Sequence, residues 1–155
     1  MASKRIVKEL DECQKAPPPD TSIAYNESDI HKWTVTLAGP EGSVYQGGSF
    51  VLTLKLPTDY PFKAPVVTFD TRIYHPNVTN DSQGNICLSI LKSENWKPAS
   101  RIKGVLEAIR NLLVEPNPDD PLEQRIAEEY RNDRTSFDKN AKQYVERYAK
   151  GDAKK

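Results

Sequence analysis

The chain has 155 residues, 22 basic and 22 acidic side chains, and two cysteines. That length suits one domain, expected over 1–150 ahead of a polar tail at 151–155 that should fray, and such a domain buries roughly 68–70% of its unfolded surface. Balanced charge gives no global field for nucleic acid or an anionic membrane, no apolar run reaches the ~20 residues of a membrane span, and Met1-Ala-Ser-Lys-Arg5 lacks a signal-peptide core, so the expected setting is cytoplasmic and nuclear.

In chain order, residues 2–15 place Ile6, Leu10 and Cys13 at helical spacing, with Lys4, Arg5 and Lys8 on the solvent side, and Ala16-Pro-Pro-Pro-Asp20 stops the helix. Cys13 is expected in the core as a small apolar thiol. Taken alone, the basic flank reads as solubility. From 22 to 70 the pattern changes to short β-type runs at 23–27, 32–38, 50–56 and 66–69, separated by turns such as Gly39-Pro-Glu-Gly42, which predicts an antiparallel meander. Alternation in Trp33, Val35, Leu37 and in Leu52, Leu54, Leu56 predicts one face packed on helices and one more open.

Tyr60-Pro-Phe-Lys-Ala-Pro65 is a proline-braced connector in which Phe62 is either core material or held outward. After Trp96-Lys-Pro-Ala99, the series Ile102, Val105, Leu106, Ile109, Leu112, Leu113 has the spacing of a core helix, which Glu115-Pro-Asn-Pro-Asp-Asp-Pro121 ends. Two amphipathic stretches follow, at about 122–132 and 135–150.

Chemistry concentrates between 73 and 88. Ile73-Tyr-His-Pro-Asn-Val78 is followed, ten residues after Asn77, by Cys87 in Gly84-Asn-Ile-Cys-Leu88, a stretch too irregular for a helix and too apolar for a free linker. Cys87 reads either as a packing thiol or as a nucleophile, and His75 upstream invites a Cys–His hydrolase pair, although sequence proximity shows no hydrogen-bonding reach. His75 before a proline is also a turn-bracing hydrogen bonder. Asn77 offers an amide donor for an oxyanion, or ordinary turn chemistry. Asp119 and Asp120 follow a helix C-terminus, where the dipole disfavours negative charge; they read as caps or turn residues, or as a carboxylate that orients an incoming amine. No phosphate-binding glycine loop and no zinc-spaced cluster is present.

Together, Tyr60-Pro-Phe-Lys-Ala-Pro65, Tyr74-His-Pro-Asn77, Gly84-Asn-Ile-Cys-Leu88, Trp96-Lys-Pro-Ala99 and Glu115-Pro-Asn-Pro-Asp-Asp-Pro121 resemble the ubiquitin-conjugating enzymes, in order from about Ser3 to Tyr148. The resemblance implies an α+β fold: an N-terminal helix, a four-stranded antiparallel meander sheet and C-terminal helices. It implies that Cys87 takes the ubiquitin C-terminus from an activating enzyme by transthiolation and yields it to a substrate lysine or a ligase cysteine. A thioester already stores the activation energy, so no metal, nucleotide or other cofactor is expected at the site.

The resemblance gives Asp120 to the incoming amine, Asn77 to the oxyanion or the loop around it, and His75 to the architecture of the catalytic segment. It matches Lys4, Arg5 and Lys8 to the helix that meets the activating enzyme, and Phe62 with Lys97, Pro98 and Ala99 to the loops gripped by ligases of RING and HECT type. Ser22 matches a backside position that touches a second ubiquitin in part of the family, with Ile23 and Tyr25 departing from that pattern. Ser89 stands where many members carry Asp, Ala64 replaces a common Pro, and between Cys87 and Trp96 the stretch Lys92-Ser-Glu-Asn95 is one residue longer than in the promiscuous class it is most similar to. Glu94-Asn-Trp-Lys-Pro-Ala99 is similar to a branch that works chiefly with cysteine-relay ligases, yet that branch lacks the Asp119-Asp120 pair, so direct lysine transfer is expected. The alternatives are a ubiquitin-like modifier as cargo, restriction to cysteine-relay ligases, and an inactive ubiquitin-binding variant, against which Cys87 in its context argues.

Overall fold

The computed structural model describes residues 2–150, so the expected tail at 151–155 lies outside the described residues. The elements run α1 (Ala2–Lys15), β1 (Thr21–Asn26), β2 (Asp29–Ala38), β3 (Ser49–Lys55), β4 (Val66–Phe69), a 3-10 turn at Ser89–Leu91, α2 (Ile102–Val114), α3 (Gln124–Asn132) and α4 (Arg134–Tyr148). The sheet order is β1-β2-β3-β4 with every neighbour antiparallel, which is the α+β arrangement expected from the sequence.

Alternation along the strands decides the faces. Trp33, Val35, Leu37, Phe50, Leu52, Leu54, Val67 and Phe69 are buried, while Thr34 and Val66 are exposed and Thr36, Thr53 and Thr68 are half-buried. The buried face joins Ile6, Leu10 and Cys13 of α1 and Ile102, Val105, Leu106, Ile109 and Leu113 of α2 in one core cluster. Helices α3 and α4 add Ile126, Phe137, Ala141 and Val145 to the same cluster. Among the described residues no helix is long and apolar enough to cross a membrane.

Two boundaries differ from expectation for identifiable reasons. The first hairpin is tighter, because Asn26 Oδ1 accepts from both the amide and the hydroxyl of Ser28 and lets β2 begin at Asp29. Helix α3 begins at Gln124 instead of 122, because the amides of Leu122 and Glu123 both donate to Pro76 O, at 2.9 and 3.0 Å.

A buried carboxylate ties the layers. Glu9 on α1 is fully buried and accepts from the Tyr60 hydroxyl at 2.6 Å, the Arg5 guanidinium, and the backbone amide of Ile102 at 2.8 Å. Ile102 opens α2, and no side chain of the Arg101 cap serves that helix end, so Glu9 supplies across the core the negative group that a helix N-terminus favours. Burial and this bond push the Tyr60 phenol well above its ordinary range. Replacing Glu9 by Ala strands a hydroxyl and an amide in the core, while the partly exposed Arg5 keeps its bonds to Pro98 O and Ser100 O, so E9A should lose about 2–4 kcal/mol in urea unfolding, against about 1 kcal/mol for Tyr60→Phe. Equal small losses in both variants would show that Glu9 is not the hub.

Candidate active site

The ten-residue spacing between Asn77 and Cys87 is the span of a closed loop. After Asn77 the chain runs out, turns at 81–84 and returns, with a Val78–Ile86 bridge, Thr79 N donating to Asn85 O at 2.9 Å and Cys87 N donating to Asn77 O at 2.8 Å. Asp81 Oδ1 closes the turn by accepting from the amides of Gln83 and Gly84. Gly84 is obligatory here: its φ is +59°, and a Cβ would lie 1.9 Å from Phe69 O. The loop therefore sets Cys87 opposite Asn77, while Gly84 and Asn85 lie against the end of β4.

The second half of the site comes from the proline-rich loop after α2. Leu112 O would ordinarily accept from the amide four residues on, but that residue is Pro116 and has no N–H. His75 fills the gap. Its Nδ1 accepts from Asn77 N at 2.9 Å, so the ring proton sits on Nε2, which donates to Leu112 O at 2.9 Å. The ring is fully buried and stacks on Tyr45 at 5.7 Å between centroids. With both nitrogens committed, the imidazole has none to offer the thiol.

Asn77 does the same for the loop itself. Its side chain is 1% exposed; Nδ2 donates to Asn117 O at 2.9 Å and Asp120 O at 3.0 Å, and Oδ1 accepts from Asn117 N at 2.9 Å. The amide thus holds the loop and leaves neither N–H directed at Cys87.

Asp120 meets Cys87 as a result: Cys87 Sγ donates to Asp120 Oδ2 at 3.4 Å, and Lys92 Nζ pairs with the same oxygen. Neither Asp119 nor Asp120 caps α3, whose N-cap is Glu123; Asp119 pairs with Arg131 instead. Partial burial, then the bond to Asp120 and that residue's charge, push the Cys87 thiol up, with Lys92 opposing. Asp120 is held below the usual carboxylate range by Lys92 first and by Cys87 second, and Lys92 is pushed up by Asp120. The other free thiol, Cys13, is buried in the core and pushed up to about 11, chiefly by burial and then by Glu12 and Glu9.

The remaining candidates lie on separate surfaces. Lys4 and Lys8 are exposed on α1, whereas Arg5 reaches over to donate to Pro98 O at 2.8 Å and Ser100 O at 2.9 Å. Phe62 is 74% exposed, so the outward alternative holds, and Lys97, Pro98 and Ala99 are exposed beside it. Trp96 Nε1 donates to Pro61 O at 2.7 Å and joins those two loops. Ser22 is exposed on edge strand β1, paired with Thr36 and away from the thiol's neighbours. Ser89 is exposed, its carbonyl held by Asn95 Nδ2 at 2.8 Å. Sequence reasoning missed Lys92 as a member of the site: its pairing spans 28 residues, and only its place in the lengthened stretch after Cys87 marked it.

A helix, a four-stranded meander and a thiol on a looped segment under a proline-rich flap define the ubiquitin-conjugating class. The family model for ubiquitin-conjugating enzymes matches residues 5–145, and the chain belongs to that family of transferases. It is 51% identical over 149 residues to ubiquitin-conjugating enzyme E2 14 of Schizosaccharomyces pombe, an alignment covering 96% of this chain and 95% of that protein. Ubiquitin, an activating enzyme and ligases are the family's general partners.

The buried imidazole yields a pH test. Burial lowers the His75 pKa from 6.5 to about 4, so between those values the unfolded chain binds a proton that the folded one refuses. The stability His75 contributes is complete above pH 6.5 and is lost as the pH falls toward 4, about 3 kcal/mol over the window. Denaturant unfolding from pH 7 to 4 should show that decline, and His75→Gln, which keeps a donor for Leu112, should flatten it. An unchanged slope in the variant would rule out His75 as its source.

Proposed function

We propose that the protein carries ubiquitin as a thioester on Cys87 and transfers it to substrate lysines with the help of ligases. The observation that carries this reading is the pairing of a partly exposed thiol with the Asp120 carboxylate while His75 has no nitrogen free for it. A resident base would activate water against a thioester; a carboxylate beside the sulfur can instead orient and help deprotonate an arriving amine. A raised thiol pKa supports the same reading, since a sulfur of higher pKa is a slower leaving group and holds its cargo longer before a partner arrives.

In this mechanism the Cys87 thiolate attacks the activated ubiquitin carbonyl, its proton is lost to solvent, and the activating enzyme's thiol departs. The substrate amine then attacks the Cys87 thioester, forming the amide and releasing the sulfur. Asp120 orients the amine. Asn77 acts through the loop, holding the carbonyls of Asn117 and Asp120 so that the carboxylate stays at the sulfur, and His75 secures the same loop from α2. Lys4, Arg5 and Lys8 form the basic face offered to the activating enzyme. Phe62 with Lys97, Pro98 and Ala99 forms the ligase face, for which an apolar ring standing in solvent is the support. Ser22, exposed on β1, forms the backside contact for a second ubiquitin.

Incubation with activating enzyme, ATP and ubiquitin should give an adduct cleaved by a reducing thiol and absent in Cys87→Ala; no adduct with ubiquitin, but one with a related modifier, would reassign the cargo. Asp120→Ala and Asn77→Ala should load nearly as well as wild type and discharge onto free lysine about tenfold or more slowly. Equal damage to loading would refute those roles, and discharge onto free cysteine without discharge onto lysine would assign the protein to cysteine-relay ligases.

A further inference from the structure

We propose that Lys92 is a resident occupant of the seat the acceptor amine must take at Asp120, and so restrains discharge of the loaded protein. This rests on the proposed transfer from Cys87 to lysine. One oxygen, Asp120 Oδ2, receives both the Cys87 thiol, at 3.4 Å, and the Lys92 ammonium. An amine attacking a carbonyl carbon bonded to that sulfur arrives on the side of Asp120 that faces the sulfur, and the oxygen on that side is the one Lys92 holds. Lys92 already stands there with the functional group of the substrate.

The tether is short and anchored. Lys92 N donates to Ser89 O at 3.2 Å as the 3-10 turn ends, and Lys92 O accepts from the amides of Asn95 and Trp96 at 2.8 and 2.9 Å. With its backbone held, the side chain has only its own rotamers by which to leave. Its group is 37% exposed and that of Asp120 48%, so the pair is a partly solvated one that an incoming amine can displace. Pairs of this kind are worth a factor of about 1.5 to 5 in an equilibrium, enough to slow unprompted discharge and small enough for a bound substrate to overcome.

Loading strengthens the occupancy. When Cys87 becomes a thioester its sulfur loses the hydrogen it donates, and Asp120 Oδ2 is left to Lys92. Lys92 is an ammonium at neutral pH in any case, and the pairing pushes its pKa further up, so it stands there as a blocker and not a competing nucleophile. The step it restrains is balanced: the acceptor nitrogen bonds to the carbonyl carbon, the carbon–sulfur bond breaks, and one amine proton ends on the released Cys87 sulfur.

The test begins from preformed ubiquitin thioesters, so loading rates do not enter, and follows single-turnover discharge onto free lysine in wild type, Lys92→Ala, Lys92→Arg, Asp120→Ala and the K92A/D120A pair. The expected result is a second-order rate constant two- to fivefold higher in K92A, near wild type in K92R, and no gain from K92A once Asp120 is absent. That last comparison separates occupancy of the seat from a general loosening of the loop, which would act with or without the carboxylate. An unchanged or slower K92A, or a gain that persists without Asp120, overturns the inference while wild type still loads and discharges. A wild type that forms no thioester would sink it together with the conjugating reading.

Discussion

The site depends on a loop that cannot satisfy its own backbone. Between Glu115 and Pro121 the chain carries three prolines, so it presents more carbonyls than amides just where α2 ends and has its own unpaired acceptors. The His-Pro-Asn segment supplies what is missing: His75 donates to Leu112 O, and Asn77 donates to the carbonyls of Asn117 and Asp120 while accepting from Asn117 N. The return bonds run from Leu122 and Glu123 to Pro76 O. Each is worth only about 1 kcal/mol net, yet leaving a buried partner unpaired costs more, so the two segments hold one register or neither is stable. The position of Asp120 at the Cys87 sulfur follows from that register.

A second constraint couples the surfaces. Glu9 links α1, the connector at Tyr60 and the first turn of α2, and Arg5 extends the link from the Glu9 side chain to the carbonyls of Pro98 and Ser100. Trp96 then reaches Pro61 beside the exposed Phe62. The basic helix face and the loops around Phe62 and Lys97 are therefore parts of one hydrogen-bonded frame. On the proposed reading, the surface that receives ubiquitin from the activating enzyme and the surface that meets ligases share Arg5, one side chain turned toward both. Its guanidinium is a cation at the edge of the first surface and a backbone clamp within the second.

Legibility in the sequence followed the range of the interactions. Strand alternation and helical spacing are local, so the meander, α1 and α2 could be read from them, with boundaries off by a few residues wherever a side chain or a distant carbonyl took the terminal amides, as Asn26 and Pro76 do. On its local pattern Phe62 is undecided, because nothing local says whether a ring between prolines turns inward; only the family resemblance points it outward. The motifs identified the family, and with it the candidate thiol and carboxylate. What they could not give was hydrogen-bond direction: that His75 is consumed by Asn77 two residues on and by Leu112, that Asn77 faces carbonyls, and that Lys92 closes on Asp120 are facts of the folded loops, and all but the first of these pairings lie 28 to 43 residues apart.

These pairings change what kind of reactivity the thiol can have. A sulfur next to an available imidazole would be a standing thiolate, and a thioester there would sit beside a base for water. Here the imidazole is spent on α2, the thiol is kept protonated by partial burial and an anionic neighbour, and that neighbour is itself neutralised by a lysine. Desolvation and Asp120 both push the thiol up, while the Lys92 charge pulls it down, so the balance shifts whenever Lys92 moves. Displacing Lys92 would leave the carboxylate uncompensated and better able to take a proton from an amine. On the proposed reading, the arrival of a substrate lysine both removes the restraint and switches on the group that acts on it, so the carrier stays inert until the amine that should receive its cargo is in place.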